Sequence, residues 1–438
     1  MRKGDNPSIR LDIADAERVW GIGRTEKSRA EMGQFFTPPE IADIAASLFS
    51  PAEKPASLLD LGAGTGILSA YAAAHMPVGD ICAVELDQNL ETACRRTLES
   101  TGSKVEYYCG DALTIELEGS FDRAILNPPY KKGLIEARFD PAGDPVRVPN
   151  TYAAFLVRAV SLLKDLGEVV AIVPRSWMSG AYYAAFRRAL LDRCSLDAIA
   201  VLSSRTDAFS DFGVLQEVCI VKLTKGGAQG NVSIADDVQF GSTPIYRRFD
   251  FAEVVSGEDM VIATSAQRRV ESCLLDAGLR ASTGKIVMHR NGAAATVYNS
   301  ENVDEVALIQ PENLVGKEVV HPLPSPKKPQ WLPEEAARGF VLPPGDYVLV
   351  RRFAPKESKK RVRGYLLHAA KPVAVENHVN IIHSGDRRKL APLSASQAEH
   401  VFEWVNSDST ERYFRQFAAT TQVNAGDLNR MPFGEMGV

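Results

Sequence analysis

The sequence predicts an α/β fold with a mainly parallel sheet, followed by a second domain. Three observations carry this expectation. Between Ser57 and about Leu223, short β-rich apolar runs alternate with longer segments whose apolar residues recur at helical spacing, the alternation that builds parallel strands with crossover helices on both faces. A Gly-rich stretch, TKGGAQGN from Thr224 to Asn231, then breaks the rhythm. Finally, 438 residues exceed what one ordinary core holds. The boundary is expected near residue 240, giving domains 1–240 and 241–438.

The strand candidates are, in chain order, SLLDL, DICAV, KVEYY, FDRAIL, EVVAIV, LDAIAVL and EVCIVKL. Between them, Gly66 to His75, Gln88 to Ser100, Asn150 to Lys164 and Gly180 to Asp192 have the spacing of helices. Beyond residue 240 the chain has no sustained period, no internal repeat and a Pro-rich stretch, HPLPSPKKPQWLP, from His321 to Pro333.

Composition narrows the class. With 45% hydrophobic and 24% charged residues the chain can bury a core. The net charge of −5 excludes a uniformly basic surface, but residues 1–240 carry 25 Lys+Arg against 32 Asp+Glu while residues 241–438 carry 25 against 23. The second half is therefore the better candidate for meeting a polyanion. The N-terminus lacks an apolar signal core, and no apolar run approaches the ~20 residues that span a bilayer, so a cytoplasmic protein without membrane partners is expected. The six cysteines form no CxxC pair and the seven histidines show no ligand spacing. Buried reduced thiols and no metal are the expectation.

The segment Leu58-Leu-Asp-Leu-Gly-Ala-Gly-Thr-Gly66 is a strand running into a glycine turn and a helix. Gly62, Gly64 and Gly66 leave bare backbone where a Cβ would occupy a ligand's space, and Asp60 is placed to order the turn. DICAV ends in Glu85, at the right distance for an acid accepting hydrogen bonds from two ribose hydroxyls. The third strand ends in Cys109-Gly-Asp111, a second carboxylate at the same edge, suited to an adenine amino group. Either acid alone could simply cap the helix that follows. Together the run resembles the cofactor half of S-adenosylmethionine-dependent methyltransferases, and DLGAGTG lacks the GxGxxG spacing of a dinucleotide site.

FDRAIL delivers Asn127-Pro128-Pro129-Tyr130 to the carboxyl edge of the sheet, where open α/β folds bind ligands. An adenine amine is a poor nucleophile because its lone pair is delocalised into the ring. The Asn127 side-chain oxygen and the Pro128 carbonyl can each accept one N6 hydrogen and so direct the lone pair at a methyl group, with Pro129 stiffening the turn and Tyr130 stacking on the base. Asn-Pro-Pro can also simply end a strand.

NPPY after DLGAGTG, Glu85 and Asp111 resembles the amino-methyltransferases that act on adenine in nucleic acids. Gly33-Gln-Phe-Phe-Thr-Pro-Pro39 looks like the N-terminal cofactor motif of adenine DNA methyltransferases in type II restriction-modification systems, with Phe36, Thr37 and Pro38 closing over the methionine end of the cofactor. Thr37 also reads as a helix N-cap. Phe209-Ser-Asp-Phe-Gly-Val214 resembles the segment carrying an aromatic that sandwiches the base opposite Tyr130, and Phe209 fits better than Phe212. IVPRSWMSGAYYAAFRRALL, Ile172 to Leu191, resembles the strand-loop-helix of the same group. The motif order matches the γ arrangement.

The resemblance implies a Rossmann-like seven-stranded methyltransferase sheet with a C-terminal mixed α+β target-recognition domain. It further implies S-adenosylmethionine as cofactor, double-stranded DNA as substrate, and a separate cognate restriction endonuclease acting on the same site. A stacked adenine must be flipped out to react. Arg351 to Arg363, with seven basic residues and one acid, is the candidate phosphate contact through Arg351, Arg352, Lys359, Lys360, Arg361 and Arg363. A solvated basic loop is the plainer alternative. Gln416, Thr421, Gln422 and Asn424 are capable of base-edge hydrogen bonds or of bonding turns. Methylation of a protein glutamine or an RNA amine, and a cofactor-binding fold without turnover, remain as alternatives.

Overall fold

The computed structural model describes residues 37–140, 143–203, 218–239, 241–256, 260–264, 272–290, 295, 305–354, 358–386, 389–417 and 422–434. Phe36, Phe209, Phe212 and Thr421 lie outside them. The chain divides into two compact units, Met1–Gln267 and Arg268–Val438, and not at about 240. The reason is visible in the first unit's sheet, which residues on both sides of 240 complete.

That sheet contains β1 (Ala56–Leu61), β2 (Val78–Glu85), β3 (Lys104–Cys109), β4 (Phe121–Leu126), β7 (Leu163–Pro174), β8 (Cys194–Leu202), β9 (Val218–Lys225), β10 (Val232–Val238) and β11 (Arg247–Phe249), in the spatial order β11-β10-β8-β9-β7-β4-β1-β2-β3. The seven predicted runs all form strands. β10 adds parallel to β8 and β11 antiparallel to β10, which makes nine strands and carries the unit past residue 240. β9 runs antiparallel to both β7 and β8. Elsewhere in this row, from β7 to β3, the pairings are parallel.

Strand order reverses between β1 and β4. From β1 the chain builds outward through β2 and β3 and returns to β4 on the other side of β1. In open α/β folds the carboxyl ends of the strands at such a switch point are where ligands bind.

Successive residues point to opposite faces, and both faces are buried. Leu59, Leu61, Val84 and Leu126 pack with Phe155 and Leu156 of α4 (Thr151–Leu162) on one face. Leu58, Ile81, Ala83 and Ile125 pack on the other with α1 (Pro39–Ser47), α2 (Ile67–His75) and α3 (Glu91–Glu99). α5 (Ala184–Leu191) follows the β7 loop. A hairpin absent from the sequence reading, β5 (Lys132–Ala137) with β6 (Val146–Asn150), stands directly after NPPY.

The second unit combines a six-stranded and a four-stranded sheet with helices Ala395–Asn406, Asp408–Phe417 and Ala425–Arg430. The longest pairing, Gly345–Arg351 with Gly364–Ala369, is antiparallel. This is the mixed α+β character expected. Among the described residues no helix is long and apolar enough to cross a membrane. Cys82, Cys94, Cys194 and Cys219 are buried free thiols, whereas Cys109 is exposed and Cys273 half-buried, against expectation. Cys109 is the last residue of β3, where the strand emerges at the sheet edge.

Candidate active site

The glycine turn leaves β1 with its backbone tied to the next strand: the amides of Gly62 and Ala63 donate to the Val84 carbonyl at 2.8 and 3.0 Å. Gly62, Gly64 and Gly66 have φ of 77°, 57° and 81°, a left-handed backbone that side chains resist. Gly66 serves a different purpose from the one expected. A Cβ there would come within 3.0 Å of Leu98 and 3.3 Å of the Cys94 carbonyl oxygen, so this glycine permits close packing of α2 on α3 and does not make room for a ligand.

Asp60, the penultimate residue of β1, is fully buried. Its Oδ2 accepts from the Ser69 hydroxyl at 2.7 Å, and its Oδ1 is buried without a hydrogen-bond partner. Burial pushes its pKa up to about 7, because the charged form has lost its water. A buried orphan acceptor beside a glycine turn is what a cationic or N–H-bearing ligand group would satisfy.

Glu85 ends β2 and is 6% exposed. Its Oε2 accepts from the Gly64 amide at 2.9 Å and its Oε1 from the Asp87 amide at 2.8 Å. Burial raises its pKa, and these backbone donors partly offset the rise. Each carboxylate oxygen can accept more than one hydrogen bond, so an acid already aimed by two amides suits a pair of ribose hydroxyls. Asp111 is exposed, and its Oδ1 accepts from the Leu113 amide at 2.9 Å. This bond braces a turn, and no helix follows Asp111 before β4. The sheet brings the three tips side by side: Leu61 pairs with Val84 and Glu85 with Cys109.

On the other side of β1, β4 ends at Leu126 and hands the chain to Asn127. The Asn127 Nδ2 donates to the Thr37 hydroxyl at 3.0 Å, and the Tyr130 hydroxyl donates to Asn127 Oδ1 at 3.1 Å. Thr37 is buried. It does not cap α1, whose N-cap is Pro38 with no side-chain hydrogen bond. The Thr-Pro segment therefore reaches the tetrapeptide ninety residues later and orients its amide. Pro128 is buried and Pro129 half-buried. The Tyr130 hydroxyl also approaches the Ile172 carbonyl at 3.4 Å, and burial raises its pKa.

Residues that sequence reasoning missed surround Tyr130. Tyr152 meets its ring edge-on, with centroids 6.0 Å apart, and stacks on Tyr183 at 5.9 Å. Asn150 caps α4 by accepting from the Ala153 amide at 3.0 Å and donates to the Tyr183 hydroxyl at 2.7 Å. Asn-Thr-Tyr at the start of a helical pattern was the available signal.

Residues 40–177 match the methyltransferase small domain family. The type II methyltransferase M.PstI of Providencia stuartii is 31% identical over 93% of this chain and 88% of its own length. M.BsuBI of Bacillus subtilis, also a type II methyltransferase, is 31% identical over 97% and 91%. This chain belongs to the type II DNA methyltransferase family. A shorter likeness, 31% over 21% of the chain and 42% of the relative, is to the tRNA1(Val) (adenine(37)-N6)-methyltransferase of a Shewanella species.

The cofactor of the methyltransferase is S-adenosylmethionine, and the residues present fit it. Glu85, aimed by two backbone amides, would take ribose hydroxyls, Asp60 offers a buried unpartnered acceptor, and the left-handed backbone at Gly62 and Gly64 takes the chain around the tip of β1.

In the second unit of the methyltransferase, the basic stretch separates into two groups. Arg361 is 3% exposed, with its guanidinium 4.9 Å from the Phe414 ring centroid, while its amide and that of Val362 donate to Glu411 Oε2 at 2.9 Å. It is a structural residue and not a phosphate contact, because helix Asp408–Phe417 packs over it. Arg351 donates to the Pro311 carbonyl at 2.7 Å, and Arg352 to the Asn377 carbonyl at 3.2 Å and to Gln422 Oε1 at 3.3 Å. Lys360 donates to the Asn406 carbonyl and lies 3.8 Å from Asp408. Lys359 and Arg363 are exposed. Asn424 joins a capping box with Asp427.

Proposed function

We propose that this methyltransferase transfers the methyl group of S-adenosylmethionine to N6 of an adenine everted from duplex DNA. The observation that carries the reading is the orientation of the Asn127 amide. With Nδ2 donating to the Thr37 hydroxyl and Oδ1 accepting from the Tyr130 hydroxyl, the Asn127 amide is held at the tip of β4, and its oxygen keeps a second lone pair. A substrate amine has N–H to donate to that oxygen.

S-adenosylmethionine supplies an electrophilic methyl group when bound. Asn127 Oδ1 and the Pro128 carbonyl hold the two N6 hydrogens, which turns the nitrogen lone pair out of the ring plane towards that methyl. The protein's contribution is positioning and electrostatic preorganisation. Tyr130, with its hydroxyl anchored inside the fold, keeps its half-buried ring at the base. Asp111 would take the cofactor's adenine amino group and Pro38 would adjoin its methionine end, while Phe36 and Phe209 are assigned to the cofactor and the base by their motifs alone.

DNA is favoured over RNA because the likeness to M.PstI and M.BsuBI spans both units, whereas the likeness to the tRNA enzyme covers 21% of the chain. Adenine N6 is favoured because that relative, named for this atom, shares part of the chain. A separate endonuclease cutting the same sequence is the expected partner in the cell. The second unit, Arg268–Val438, serves target recognition, with Lys359 and Arg363 on phosphates.

Incubation of unmodified plasmid or genomic DNA with the enzyme, followed by single-molecule sequencing, should reveal N6-methyladenine in one sequence context. Methylation of cytosine instead, or of no DNA, overturns the proposal. Asn127→Ala should lower transfer by about 10²–10³-fold and leave S-adenosylmethionine binding nearly unchanged by calorimetry. Wild-type turnover by that variant would refute the role of Asn127.

A further inference from the structure

Eversion of a base leaves a gap in the duplex and an unpaired partner base, so a flipping enzyme needs a surface that fills the gap beside its pocket. The first unit has a candidate at the mouth of NPPY. The hairpin β5–β6 starts two residues after Tyr130, and Leu134, on its outward face, is 81% exposed. The inward positions Ile135 and Val148 pack on the core, so the hairpin is held firmly while Leu134 points to solvent. A solvent-facing hairpin position normally carries a polar residue. Lys131 and Lys132, both exposed, lie three and two residues before Leu134.

A second exposed side chain is rooted at the same junction. Asn150 is the register partner of Lys132 and donates to the Tyr183 hydroxyl at 2.7 Å. The neighbouring Tyr182 is 90% exposed. Isolated exposed apolar residues are ordinary. Here one of them follows two exposed lysines on the hairpin and the other adjoins Tyr183, which is tied to the hairpin's last residue Asn150, after the residues proposed to hold the target base. Apolar side chains that enter a base stack, flanked by cations that fix phosphates, are the chemistry of duplex-deforming surfaces.

We infer that this rim is the duplex-opening surface of the enzyme: Leu134 enters the gap left by the everted adenine, Lys131 and Lys132 hold the flanking phosphates, and Tyr182 stacks on an exposed neighbouring base. The inference rests on the proposed action on duplex adenine.

Leu134→Ser and Tyr182→Ala, at exposed positions, should leave thermal unfolding unchanged. Leu134→Ser should lower kcat/KM on a matched duplex by about tenfold or more, and recover to near wild type on a duplex whose target adenine lies opposite an abasic site, where eversion costs less. With 2-aminopurine at the target position, its fluorescence rise on binding should shrink for Leu134→Ser on the matched duplex only. Changing both Lys131 and Lys132 to Gln should flatten the salt dependence of DNA binding by a slope of roughly 1–2. No loss, or an equal loss on matched and abasic substrates, overturns the assignment of Leu134. A wild-type enzyme inactive on adenine in any duplex would instead sink the underlying reading, which separates the two failures.

Discussion

The tips of β1, β2 and β4 and the basic stretch from Arg351 to Arg363 were both expected to meet a ligand, yet the fold treats them differently. At the strand tips, each polar group is aimed by a neighbour fixed in sheet register: Glu85 by the Gly64 amide, Asn127 by Thr37 and Tyr130. In the basic stretch, Arg351, Arg352 and Arg361 turn inward to carbonyls and an aromatic ring, and Lys359 and Arg363 stay in water. Charge density along a chain thus says little about which charges a partner meets. Position at the carboxyl end of a parallel strand says much more, because the pairing of strands leaves that end a single place to be.

Asp60 offers the largest test of this contrast. The unfolded chain releases its proton near 3.8 and the folded protein at about 7. As pH rises through that window the unfolded state is increasingly favoured, and the cofactor-free protein loses up to about 4 kcal/mol of stability that it had at lower pH. Asp60→Asn removes the penalty, so its melting temperature relative to wild type should climb between about pH 4 and pH 8. Parallel curves would mean that Asp60 is not held dry by the turn.

Next in size, Glu85→Ala should weaken S-adenosylmethionine binding by about 10²-fold, the worth of hydrogen bonds to a charged acceptor, as read by calorimetry. An unchanged affinity would make Glu85 a turn-bracing residue alone. On the other side of the comparison, Arg361→Ala should destabilise the protein by about 2 kcal/mol in urea unfolding, from the lost cation–π contact and packing. Smallest of all, Lys359→Gln with Arg363→Gln should leave stability within about 0.5 kcal/mol and reduce the salt slope of DNA binding by roughly 2. Should Arg361→Gln alter that slope as much as the exposed pair does, the division of the stretch into interior and surface groups fails.

The sheet was legible because its strands are short apolar runs separated by helices, a local pattern that needs no knowledge of distant residues. The hairpin after NPPY was not legible: Gly133 and the PAGDP segment break its alternation, and its strands owe their place to packing on α4. β10 and β11 escaped notice because the Gly-rich stretch before them looks like a domain boundary, and only pairing with β8 shows that the sheet continues. Gly66 was assigned to the right turn for a reason that the position of Leu98 replaces.

By itself the sequence determined the seven strands from SLLDL to EVCIVKL with the helices between them, and the acids and the NPPY tetrapeptide that follow particular strands. These follow from periodicity and spacing, which act within a few residues. Tertiary structure alone decided that Thr37 orients Asn127, that Asp60 keeps an unpartnered oxygen, and that Arg361 lies inside while Lys359 lies outside. Each depends on which distant segment packs against the residue, because burial and hydrogen-bond partners are properties of the assembled core and have no signature in neighbouring sequence.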